Sequence, residues 1–139
     1  MVQLGLVVAQ FNKESPITNE MEERAREVAD ERGAQIVETV TVPGSYDTPL
    51  AADRLARRED IDAVVALGAI ITGDTDHDQV IANAAAGGLM DVSLDRDKPV
   101  AFGIIGPGMS HDEARARIEF GGKATKSAIE MASELDGVQ

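Results

Sequence analysis

Cysteine is absent from the 139-residue chain. That excludes a disulfide framework, a thiolate nucleophile and any zinc or iron–sulfur site built on sulfur. Positive charge is scarce as well: 13 Lys and Arg face 25 Asp and Glu, for a formal charge of −12, and only Lys13, Lys98, Lys123 and Lys126 are lysines. Such a balance argues against binding a nucleic-acid backbone or an anionic membrane surface. The carboxylates read as a solvated surface rather than an acidic binding face. Long apolar runs are missing too, because the longest, Ile61 to Ile71, is interrupted by Asp62 and Gly68 and is too short to span a bilayer. At the N-terminus, Met1-Val2-Gln3-Leu4-Gly5 has no preceding basic segment and no small-residue cleavage signal, so a cytoplasmic location is expected. Aromatic side chains are limited to three Phe and one Tyr.

What is present suffices for one compact domain over residues 1–139. The hydrophobic content is 43%, and a chain of this length buries roughly two thirds of its unfolded surface. Val2 to Ala9 reads as a buried strand. Ser15-Pro16 then supplies a cap and a first-turn proline for a helix from Ile17 to Arg32, which Gly33 closes. Ile36 to Val42 is a β-branched strand ended by Pro43-Gly44, and Thr48-Pro49 opens a helix to Arg58. A third strand, Ile61 to Leu67, leads through Gly68–Gly73 into a helix from Asp74 to Leu94. Pro99 to Ile105 forms a fourth strand. Ser110-His111-Asp112-Glu113 is a capping box that starts a last helix, with Ala114, Ile118, Thr125, Ala128, Ile129, Ala132 and Leu135 on its buried face.

Strands alternating with helices predict a four-stranded parallel sheet inside an α/β flavodoxin-like three-layer α/β/α sandwich. Ligands in such folds bind beyond the carboxyl ends of the strands, which directs attention to the loops after Ala9, Val42, Leu67 and Ile105. Phe11 follows the first strand, where it either stacks on a planar ligand or joins the core. Ser45-Tyr46-Asp47 follows the second; Asp47 could instead cap the next helix. In the third loop, Gly73 permits close backbone approach, and the amides after it suit a phosphate. His77 follows in the first helical turn. As the one residue of these loops whose ordinary pKa lies near neutrality, it is the candidate proton shuttle, although a lone His can equally be structural or solvated. Asp74, His77 and Asp78 at i, i+3 and i+4 also allow a metal reading, against which stands the tendency of first-turn aspartates to cap. Gly106-Pro107-Gly108 precedes a helix bearing Arg115 and Arg117, either of which could meet a phosphate or simply be solvated. His111, inside the capping box, is expected to be exposed.

Four segments, in order, resemble a known family. They are Ala9-Gln10-Phe11-Asn12, Val42-Pro43-Gly44-Ser45-Tyr46-Asp47-Thr48-Pro49-Leu50-Ala51, Gly68-Ala69-Ile70-Ile71-Thr72-Gly73-Asp74-Thr75-Asp76-His77 and Lys98-Pro99-Val100-Ala101-Phe102-Gly103. Together they resemble 6,7-dimethyl-8-ribityllumazine synthase, the penultimate enzyme of riboflavin biosynthesis, and in particular its archaeal branch. The Asp/Glu-rich, Lys-poor composition is similar to that of proteins from salt-loving archaea, where cytosolic salt screens self-repulsion.

The resemblance implies a cofactor-independent transferase with no metal. Its reaction condenses 5-amino-6-(D-ribitylamino)uracil with 3,4-dihydroxy-2-butanone 4-phosphate, releasing phosphate and water. By the same likeness His77 is catalytic, and Phe11, Ser45, Tyr46, Asp47 and the backbone of Ala69, Ile70 and Ile71 bind the pyrimidine and its ribityl chain. Asp74 and Thr75, chiefly through amides, and Arg117 hold the phosphate, and Phe102 covers the pyrimidine from a neighbouring subunit. A homo-oligomer is implied: a pentamer, or an icosahedral shell of pentamers. Three positions depart from the bacterial pattern, with Thr72 in place of Arg or Lys, Asp47 in place of Glu, and Asp78 in place of an aromatic residue. The bacterial lysine motif has no clear counterpart around Gly121–Ala124, so Lys123 and Lys126 are left out of the site. Rival readings are the archaeal type of riboflavin synthase, which shares the fold and a Val-Pro-Gly turn, and a shell that binds flavin or lumazine without turnover.

Overall fold

The computed structural model describes residues 1–10, 17–73 and 76–138. Phe11, the Ser15-Pro16 cap, Asp74 and Thr75 lie outside the described residues. The elements run β1 (Gln3–Ala9), α1 (Ile17–Glu31), β2 (Gln35–Val42), a 3₁₀ turn (Ser45–Asp47), α2 (Thr48–Ala56), β3 (Ala63–Ile71), α3 (His77–Arg96), β4 (Val100–Met109), α4 (His111–Arg115) and α5 (Phe120–Leu135). The strands form one parallel sheet in the order β2-β1-β3-β4. This is the flavodoxin-like sandwich that the alternation predicts.

Strand alternation divides the core in two. Leu4, Leu6, Val8, Val65 and Leu67 pack on one face with Met21 and Ala25 of α1, Ala114 of α4 and Ala128 of α5. Val7, Val64, Ala66 and Ile70 pack on the other with Ala52 and Leu55 of α2 and Ala85 and Leu89 of α3. Both central strands are apolar toward both layers, as the helix-covered sheet requires. Helices approach closely where side chains are small: a Cβ on Gly121 would stand 2.8 Å from the Met21 carbonyl oxygen, and one on Gly88 2.8 Å from Pro49 Cγ. Helix α1 stops at Gly33, whose φ of 71° is left-handed, while Ala34 N–H donates back to the Ala29 carbonyl at 2.8 Å.

Five expectations are corrected. Strand β3 does not stop at Leu67: it continues through Gly68 to Ile71, because β4 pairs with it that far. Strand β4 likewise passes Ile105 and ends at Met109, with Gly106-Pro107-Gly108 as an irregularity inside it rather than a loop after it. The final helix is two helices. Its capping box forms as predicted, Ser110 Oγ accepting from Glu113 N–H at 3.2 Å and Glu113 Oε1 accepting from Ser110 N–H at 3.1 Å. Turns over residues 116–119 then separate α4 from α5. Leu135, in the last turn of α5, is exposed rather than buried. Helix α3 begins at His77, three residues later than expected.

Candidate functional site

Strand β2 pairs on one side of β1 and β3 on the other, so the connection reverses direction at β1, and the carboxyl ends of β1 and β3 border the crevice that this fold uses for ligands. Their lengths differ there. The last β1–β3 pair is Val8 with Leu67, whereas β3 continues to pair with β4 as far as Ile71. Beyond Gly68, the edge of β3 that faces β1 therefore has no strand partner among the described residues. Backbone groups of Ala69, Ile70 and Ile71 on that edge can hydrogen-bond a planar, amide-like ring. The Ile70 side chain meanwhile anchors the strand under α3, and Ala69 and Ile71 pack toward the opposite layer.

The 3₁₀ turn Ser45–Asp47 reaches this edge from β2 by crossing the carboxyl end of β1. Asp47 N–H donates to the Gly44 carbonyl at 3.0 Å, and Thr48 Oγ1 donates to the Ser45 carbonyl at 2.7 Å, so the turn is closed at both ends. Ser45 is buried against β3, while Tyr46 and Asp47 are exposed at the rim. Asp47 precedes α2 at the cap position but makes no side-chain cap hydrogen bond. The capping alternative for its carboxylate is thus not realised.

His77 is the first residue of α3 and is exposed. Its neighbour Asp78 is buried, and turns the other way. Asp78 Oδ2 accepts from Gly108 N–H at 3.3 Å and stands 3.5 Å from the Thr72 hydroxyl. Two departures noted in the sequence, Thr72 and Asp78, therefore face one another. Asp78 is directed at the strand ends, and Asp74 lies outside the described residues. A Cβ added to Gly73 would meet no described atom within 4 Å, so chain packing does not itself demand glycine there.

Arg117 stands in the turns between α4 and α5, half-exposed, with Nη1 3.5 Å from Met109 Sδ and Nη2 3.9 Å from Glu113 Oε2. Met109 pairs with Ile71 and accepts from Thr72 N–H at 2.9 Å, so Arg117 lies at the same end of the sheet as His77. Phe102 does not. It pairs opposite Ala66 near the start of β4, the outer strand of the sheet, and is partly exposed there. Within one chain it is not brought to the crevice.

The sequence pattern of the 6,7-dimethyl-8-ribityllumazine synthase family matches residues 1–136. The chain belongs to this family. Its relatives include 6,7-dimethyl-8-ribityllumazine synthase of Halorubrum lacusprofundi, 62% identical over 98% of this chain and 100% of the relative. That of Halobacterium salinarum is 61% identical over 97% and 100%, and that of Methanopyrus kandleri 51% identical over 96% and 94%. Membership in the lumazine synthase family favours the first reading of the four segments over the riboflavin-synthase alternative. Sequence reasoning missed the buried role of Asp78 within the lumazine synthase framework. The available signal was an acidic residue in a first helical turn, with a hydroxyl six residues before it and a glycine turn thirty residues after it.

Proposed function

We propose that this chain, as a single lumazine-synthase-like domain over residues 1–139, condenses 5-amino-6-(D-ribitylamino)uracil with 3,4-dihydroxy-2-butanone 4-phosphate. The observation that carries this reading is the β3 edge at Ala69–Ile71, which has no strand partner among the described residues and is flanked by the Ser45 turn and the start of α3, in a chain of the lumazine synthase family. The pyrimidine lies along that edge. Phe11 stacks on its ring, and Ser45, Tyr46 and Asp47 bind the ring and ribityl hydroxyls. Amides of Asp74 and Thr75, with the guanidinium of Arg117, hold the phosphate.

The 5-amino group attacks the ketone, the carbinolamine loses water to an imine, phosphate leaves, and the ribitylamino nitrogen closes the second ring. Each step moves a proton. His77, between the pyrimidine edge and the phosphate loop, takes and returns it, a role worth roughly 10²- to 10⁴-fold. Holding two substrates together supplies much of the remaining acceleration. No cofactor and no metal enters this scheme.

The functional form in this reading is a homo-oligomer, a pentamer or a shell of pentamers, in which Phe102 covers the pyrimidine of a neighbour. Its support is α3, which is apolar on more than one face: besides its buried residues it exposes Val80, Met90 and Leu94. A helix of that kind is ordinarily covered. Among the described residues no helix is long and apolar enough to cross a membrane, and a cytoplasmic, salt-adapted enzyme fits the charge of −12. Incubating the purified protein with both substrates and following lumazine absorbance tests the activity. Failure to form product would overturn it and leave a binding shell. Light scattering across salt concentrations reads the assembly; a monomer at every salt would remove the shared site.

A further inference from the structure

Asp78 is a buried carboxylate that the scheme above does not use, and burying a charge is costly unless hydrogen bonds compensate. An aspartate in a first helical turn ordinarily gains its stabilisation in solvent beside the helix dipole. Here it points inward. Its Oδ2 takes the Gly108 N–H at 3.3 Å and lies 3.5 Å from Thr72 Oγ1, so one oxygen joins the start of α3 to the ends of β3 and β4. Gly108 has a φ of 79° and Gly106 a φ of 96°, and a Cβ on Gly106 would run into the Ile70 carbonyl oxygen. The glycine turn is therefore bent against β3 in a form that aims Gly108 N–H at α3. Its far side continues through Met109 into the segment that carries Arg117.

We propose that Asp78 is a positioning residue: by fastening α3 to the Gly106–Gly108 turn it sets His77 relative to the pyrimidine edge of β3. This rests on the catalytic reading of His77. Since both contacts end on one oxygen, an amide carbonyl can replace it, and charge is not required.

The test compares Asp78→Ala with Asp78→Asn in the full-length protein. Steady-state kinetics are paired with hydrogen exchange, read by mass spectrometry over residues 72–80 and 103–109. Asp78→Ala is expected to lower kcat by roughly 10- to 100-fold, the cost of misplacing a catalytic group by about 1 Å, with the pyrimidine KM changed less than about threefold. Exchange in both segments should quicken. Asp78→Asn should restore kcat to within about threefold and restore slow exchange. Wild-type kcat in the alanine variant, or loss of kcat in both variants with exchange unchanged, overturns the proposal. Wild-type protein that forms no lumazine sinks the catalytic reading alone if the exchange contrast is seen, and both ideas if it is absent.

Discussion

Gly68 of β3 lies directly beneath Ser45: a Cβ built on the glycine would stand 2.6 Å from the serine Oγ, with Ala9 Cβ at 3.3 Å and Ile104 Cγ1 at 3.4 Å around it. The turn that carries Ser45, Tyr46 and Asp47 can settle on the sheet only because that position has no side chain. A single missing methyl thereby sets the height of the turn above β3.

Gly68→Ala is accordingly expected to push the turn outward. Overpacking of this kind costs about 1–3 kcal/mol, and the pyrimidine KM should rise more than the butanone phosphate KM. Chemical denaturation and initial rates with each substrate varied would check both parts. An alanine variant of unchanged stability and KM would show that the turn yields freely.

His77→Ala should lower kcat by at least about tenfold while pyrimidine binding, measured by calorimetry, largely survives. Unchanged turnover in that variant would refute the proton-transfer role. Abolition of wild-type activity by a chelator would point instead to a metal at the start of α3.

For Arg117, whose partners Met109 and Glu113 hold it loosely, Arg117→Gln should raise the butanone phosphate KM by about tenfold or more, and Arg117→Lys should recover only part of it, since a point charge lacks the guanidinium fork. Arg115→Gln is the control and should change little. A reversal of the two glutamine variants would move the phosphate site to Arg115.

Acid should weaken the fold through two identified carboxylates. Ser110 N–H holds the Glu113 carboxyl below its ordinary range, and Arg96, then Arg57, do the same for Asp53, which joins α2 to α3 through Arg96 Nε at 2.8 Å. A carboxyl depressed on folding contributes stability above its unfolded pKa, about 4, and loses it as pH falls through the folded value. Glu113→Gln and Asp53→Asn should therefore differ from wild type in Tm near neutrality and converge with it in acid. Only the difference is diagnostic, because protonating the other carboxylates relieves the −12 charge in every variant. Ser110→Ala, which removes the other half of the capping box, should cost about 1 kcal/mol.

Local chemistry in the sequence determined the β–α alternation, the parallel sheet and the Ser110–Glu113 box. These follow from β-branched runs, helical periodicity and turn residues, all of which act over a few neighbours. Tertiary structure alone decided where elements end and which groups remain open. Gly68 to Ile71 reads locally as a glycine-bounded loop, yet it is strand because β4 supplies its ladder, while on its other side the described β1–β3 pairing ends at Val8 with Leu67. Asp78 reads locally as a helix-start acid beside a candidate base. It is buried because Gly108, thirty residues away, brings an N–H to it. Pairing partners and burial depend on residues distant in sequence, and periodicity carries no record of them.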